Sequence, residues 1–127
     1  MKRNKNGFIE IEIEEKIQWD EPNGEGCIVS DRITKEGWKV GYMVRDIPRE
    51  NVPDSGWMFL KGDEDKKYMS DVSHHHIFSL NTVCNYDPDI IDYLHMPVGS
   101  ALIRTEDGTF VMDDGKMPIY MEKQKRK

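Results

Sequence analysis

Residues 55–71 read SGWMFLKGDEDKKYMSD. In an extended chain Trp57 and Phe59 fall on one face and Met58 and Leu60 on the other, so the stretch is expected to leave a turn at Gly56, run as a strand and close at Gly62. Aromatics on one face of a strand between two glycines are expected in the core, with anchoring of a partner by Trp57 and Phe59 as the alternative reading. Asp63, Glu64 and Asp65 then open a short helix, because carboxylates in a first turn meet the positive end of the helix dipole, and Lys66 and Lys67 follow.

Working outward toward the N-terminus, WKVGYMVRDI (residues 38–47) has the β-branched and aromatic content of a long strand, and Pro48 and Pro53 bracket the turn that follows it. Before it come a strand, CIVS (27–30), and a helical turn, DRITKEG, stopped by Gly37. WDEPNGEG (19–26) reads as a loop, with Trp19 packed against the body. FIEIEIE (8–14) alternates Ile9, Ile11 and Ile13 with glutamates, which is the clearest strand pattern in the chain.

Toward the C-terminus, HIFSLNTVC (76–84) reads as a strand. DPDIIDYLHMP (87–97) then supplies Asp87 as N-cap, Pro88 at the first helical position, and Ile90, Ile91 and Leu94 at helical spacing. Asp107-Gly108 lies between two alternating runs and marks a hairpin, while Pro118 points to a terminal edge strand. Strands and short helices in no regular βαβ order predict a single α+β domain, with a mostly antiparallel sheet of about five to six strands and two to three short helices.

The chain has 127 residues with 33% charged and 37% hydrophobic side chains and a formal net charge of −6. Basic residues gather at its ends as Lys2, Arg3, Lys5, Lys123, Lys125, Arg126 and Lys127, which leaves the body between them more acidic than the net charge indicates. Such a body repels nucleic acid and membranes and steers basic proteins toward itself. No apolar run approaches the roughly 20 residues of a membrane span, and a cytoplasmic location is expected. Cys27 and Cys84 make neither a disulfide framework nor a zinc spacing, so packed, reduced thiols are expected.

Several constellations invite a chemical reading. Asp63 and Asp65 match the first ligand positions of a calcium loop, but Lys67 and Tyr68 stand where a further oxygen ligand and the obligatory glycine belong. Adjacent carboxylates at a helix start point in different directions, which does not suit an acid–base pair. In an extended run His74 and His76 share a face and are weak metal candidates that need a third ligand, such as His95 or Asp71. Cys84, in NTVCNY, lacks a nucleophile elbow. No glycine-rich phosphate cradle and no basic stripe interleaved with aromatics is present. Catalytic residues and cofactors are therefore not expected.

The order CIVSDRITKEGWKVGYMVRD, DSGWMFLKGDED and IFSLNTVCNYDPDIIDYLHMPVGSAL, covering about residues 27–112, resembles the bacterial immunity protein 33 family, formerly domain of unknown function 2185. The most specific block is SGWMFLKGDE, with Gly56, Trp57, Phe59 and Gly62. Leu80-Asn81-Thr82 and Pro97-Val98-Gly99-Ser100-Ala101 are further matching blocks. The resemblance implies an α+β domain that binds and neutralises a toxin domain without catalytic residues of its own. Residues 1–26 are then an N-terminal strand and loop extension, 27–113 the immunity-protein-like domain, and 114–127 an edge segment and basic tail. Asp63, Glu64, Asp65 and Trp57 are the expected partner-binding residues, and the acidic body suits a basic toxin. The alternatives are a protein-interaction module unrelated to toxins, or a small metal-dependent hydrolase built on the histidine run.

Overall fold

The computed structural model describes residues 2–113; the Pro118 segment and the basic tail lie outside the described residues. The strands are β1 (Gly26–Ser30), β2 (Tyr42–Arg45), β3 (Trp57–Leu60), β4 (His75–Ser79), β5 (Ala101–Arg104) and β6 (Phe110–Met112). The α-helices are α1 (Asp31–Thr34), α2 (Lys66–Ser70) and α3 (Leu80–Tyr86), with 3-10 turns at Val72–His74 and Pro88–Tyr93. All six strands join one sheet in the order β4-β1-β3-β2-β5-β6. Among the described residues only β1 and β3 pair in parallel; the other neighbours are antiparallel. The fold is α+β.

The alternation in β3 sorts the core into two layers. Trp57 and Phe59 join Cys27, Val29, Met43 and Leu102 on one face, beneath Leu80, Val83 and Cys84 of α3 and Ile90 and Leu94 of the following turn. Leu60 lies on the opposite face with Tyr42, Val44, Ala101 and Met69 of α2, and Met58 packs against them. The turn before β3 needs a glycine at residue 56: its φ is +89°, and a Cβ there would collide with the Asp46 carbonyl. Gly62, with φ +112°, turns the chain out of β3. Pro97 and Gly99 shape the entry to β5, where the Ser100 amide donates to the Pro97 carbonyl and the Gly99 amide to the Arg45 carbonyl.

Four expectations about elements change. Residues 8–14 form no strand; Ile9 makes an isolated bridge with Arg3, and the chain continues to residue 21 without turn, bend or ladder. The long strand at 38–47 shrinks to β2. The Val40 amide donates to the Asp87 carboxylate at 2.9 Å and its carbonyl accepts from Arg104 Nε at 2.6 Å, so side chains take the groups a ladder would use. The strand expected at 76–84 ends at Ser79, whose hydroxyl accepts from the Thr82 amide and caps α3. The helix expected from Asp87 forms as a tighter 3-10 turn, still capped by Asp87 with Pro88 in its first positions. The 107–108 hairpin joins β5 and β6 as expected, with Gly108 at φ +89°.

Candidate partner-binding surface

The chain leaving β3 explains the acidic triplet. The Glu64 carboxylate turns inward, 2% exposed, and accepts from the Lys61 and Gly62 amides at 2.8 Å each. Asp63 lies between Lys61 Nζ at 2.7 Å and Arg32 Nε at 3.1 Å, and the Lys61 hydrogen bond holds its carboxyl below the usual range. Asp65 caps α2 by accepting from the Tyr68 amide at 2.8 Å. Asp63 and Asp65 are exposed, whereas Glu64 and Trp57 are buried. The indole of Trp57 is 1% exposed, stacks on Phe59 and donates to the Leu94 carbonyl at 2.9 Å. Burial removes Glu64 and Trp57 from the surface expected to meet a partner.

Beside the triplet the Arg32 guanidinium lies 4.5 Å over the Tyr68 ring, which stacks on His74 at 4.1 Å. The three histidines diverge. His74 belongs to this stack, His75 is half-buried with burial lowering its pKa, and His76 Nδ1 sits 2.8 Å from Asp31 Oδ1. Of the partners considered for a metal, Asp71 Oδ2 is 3.7 Å from His74 Nε2, while His95 lies elsewhere, on Glu21 and Trp19. Among the described residues no group of three or more His, Cys, Asp or Glu side chains is placed to hold a metal ion. Burial pushes the Cys84 thiol up to about 12 and raises Cys27 as well, which leaves both in the inert thiol form.

The second face of the sheet is open on one side. Ile77, Ile28, Met58, Val44 and Ala101 are paired neighbours across five adjacent strands, an apolar row running from β4 to β5. Val44 and Ala101 are buried, but Ile28 and Met58 are half-buried and Ile77 is 61% exposed. Ile28, Met58 and Ile77 line a groove with Met69, Val72, His75 and His76, and Val72 is 86% exposed. Val72 also borders the hollow formed by Arg32, Asp65, Tyr68, Asp71 and His74. The corner built by α2 and its 3-10 turn thus joins an apolar patch to a charged rim.

The polar side chains that hold the loops carry no local signature in the sequence beyond the helix cap expected at Asp87. Arg45, 4% exposed, donates to the Ser55 and Met96 carbonyls and to the Glu21 carboxylate. Asp87 is fully buried and accepts from Arg104 Nη2 at 2.7 Å. Asn81 lay inside a noted block, but its work is done on residues 14–17, far away in sequence.

No helix among the described residues is long and apolar enough to cross a membrane. Neither the curated proteins nor the solved structures give a match. The family model of the immunity protein Imm33 domain matches residues 27–125, from β1 past the end of the described sheet. The chain therefore belongs to the Imm33 immunity-protein family.

Proposed function

We propose that this protein is a non-catalytic cytosolic immunity protein that neutralises a cognate toxin domain by binding it. Membership of the immunity family is the observation that carries the reading. The open corner of the sheet suits it: Val72, Ile77, Ile28 and Met58 provide a patch that excludes water, Asp65 and Asp71 line the adjoining hollow, and Asp63 pairs with Arg32 at its edge. Exposed Glu10, Glu12, Glu15 and Asp20 add to a field that steers a basic toxin surface toward the protein. Asp63 and Asp65, already engaged with their own chain, act as rim charges that affect association rate and salt dependence more than final affinity.

Growth rescue tests this reading. Co-expression with a toxin domain whose gene adjoins that of the protein, where there is one, restores growth, and a pull-down recovers a complex that weakens at high salt. Val72→Glu with Ile77→Lys abolishes rescue without changing the far-UV spectrum, because both side chains are exposed. Asp63→Lys with Asp65→Lys slows association and flattens its salt dependence. A protein that neither rescues growth nor forms a complex is an interaction module of another kind.

A further inference from the structure

Residues 8–21 form a strap across α3 that is held mainly by its backbone. Asn81 Oδ1 accepts from the Lys16 amide at 2.7 Å and the Ile17 amide at 3.2 Å, and its Nδ2 donates to the Glu14 carbonyl at 2.9 Å. One turn along α3, Asn85 Oδ1 accepts from the Glu14 amide at 3.0 Å and its Nδ2 donates to the same Glu14 carbonyl at 2.9 Å. Tyr86 donates its hydroxyl to the Ile9 carbonyl at 2.6 Å. Residues 81 and 85 share a helix face, so their two amides present a donor–acceptor pattern to one passing chain.

At its start Phe8 meets the His76 and Phe78 rings edge-on and Ile9 is buried, and in its second half side chains add two anchors and a latch. Ile17 and Trp19 pack against the main core, and Trp19 stacks on His95 at 4.8 Å. The Glu21 carboxylate ends the strap between Arg45 Nη2 at 2.6 Å and His95 Nδ1 at 3.0 Å. Strap and body meet again through the turn at residues 22–23. The strap precedes the family match, which begins at residue 27, and contributes no strand to the sheet.

We propose that the α3 face bearing Asn81, Asn85 and Tyr86, with the Arg45–His95 pair, is a binding site for an extended peptide that carries one carboxylate side chain at its end, and that the strap is its tethered ligand. The ligand class follows from the contacts: an extended backbone over Asn81 and Asn85, apolar side chains where Ile17 and Trp19 sit, and a carboxylate two residues beyond the second anchor. A short tether holds its ligand at an effective concentration in the millimolar range, so the intact strap excludes free peptide, and cutting the tether leaves the strap bound but open to exchange.

The test cuts the tether and keeps every residue. A protease site is inserted between Asn23 and Gly24, the folded protein is cleaved, and a labelled synthetic peptide of residues 8–21 is titrated in. The cleaved strap stays with the body on gel filtration, and excess peptide replaces it stoichiometrically. Asn81→Ala with Asn85→Ala weakens peptide binding by at least tenfold. Should that double variant fail to fold, a peptide carrying Lys16→Pro, which lacks the amide that Asn81 accepts from, binds the unaltered cleaved protein at least several-fold more weakly. A strap that leaves a body still folded, a cleaved protein that unfolds, or a Lys16→Pro peptide that binds like the original overturns the proposal.

Discussion

Glu64 shows how a side chain can be legible as to type and not as to role. Three consecutive acids after Gly62 look like a charged surface, yet the middle one supplies the acceptor for two backbone amides of the turn. Hydrogen bonds to a charged acceptor are worth about 1.5–3 kcal/mol each and their loss leaves amides unpaired, so Glu64→Ala lowers stability by about 3 kcal/mol. Asp63→Ala, at an exposed ion pair, changes it by less than about 1 kcal/mol. Urea unfolding of the two variants checks the contrast, and equal effects would remove the structural role given to Glu64. The sequence could not separate the acids because helix-start chemistry favours a carboxylate at any of the three positions, whereas direction depends on the φ of Gly62.

Among the elements, those whose evidence was local were legible. The β3 alternation, the Asp87-Pro88 start and the 107–108 hairpin each depend on a few adjacent residues, and each formed where expected. The strap and α3 were misread for opposite reasons. FIEIEIE has the period of a strand, but a strand also needs a neighbour, and here the Ile9 amide donates to the Thr34 carbonyl, the Ile9 carbonyl accepts from Tyr86, and Asn85 takes both backbone groups of Glu14. In α3 the run HIFSLNTVC reads as one strand, although Leu80, Val83 and Cys84 stand at helical spacing behind a capping Ser79. The strap's latch makes it sensitive to pH. Arg45, helped by His95, holds the Glu21 carboxyl below its ordinary pKa. The latch's contribution is therefore complete above the ordinary carboxylate range and disappears as pH falls through the lowered value. Hydrogen-exchange protection of the Lys16 and Ile17 amides, corrected for intrinsic rates, falls over that acid interval in the unaltered protein; in Glu21→Gln the drop is absent and protection is lower at neutral pH.

For the molecule as a whole, one α+β domain with a mostly antiparallel sheet was readable from the distribution of strand and turn signals, but the strand order was not. Placing β3 between β1 and β2 requires knowing which of several apolar strands are neighbours, and alternation gives a face without naming a partner. Burial over the whole domain also sets thiol chemistry. With Cys27 and Cys84 both fully buried and their thiolates disfavoured, neither reacts with iodoacetamide on the timescale of a free thiol until the domain opens. Alkylation followed by mass spectrometry should give unmodified native protein and two adducts in denaturant; rapid native labelling would mean that the core opens locally. The sheet divides into a two-strand leaf, β4 and β1, and a four-strand leaf, joined along the parallel β1–β3 pair at Ile28↔Met58 and Val29↔Phe59. Parallel pairing is slightly weaker per residue than antiparallel, so this junction is a seam along which a pulling force would part the sheet. Ile28 and Met58 also lie on its open face, where a bound partner would act as a rivet and raise the force needed to separate the leaves.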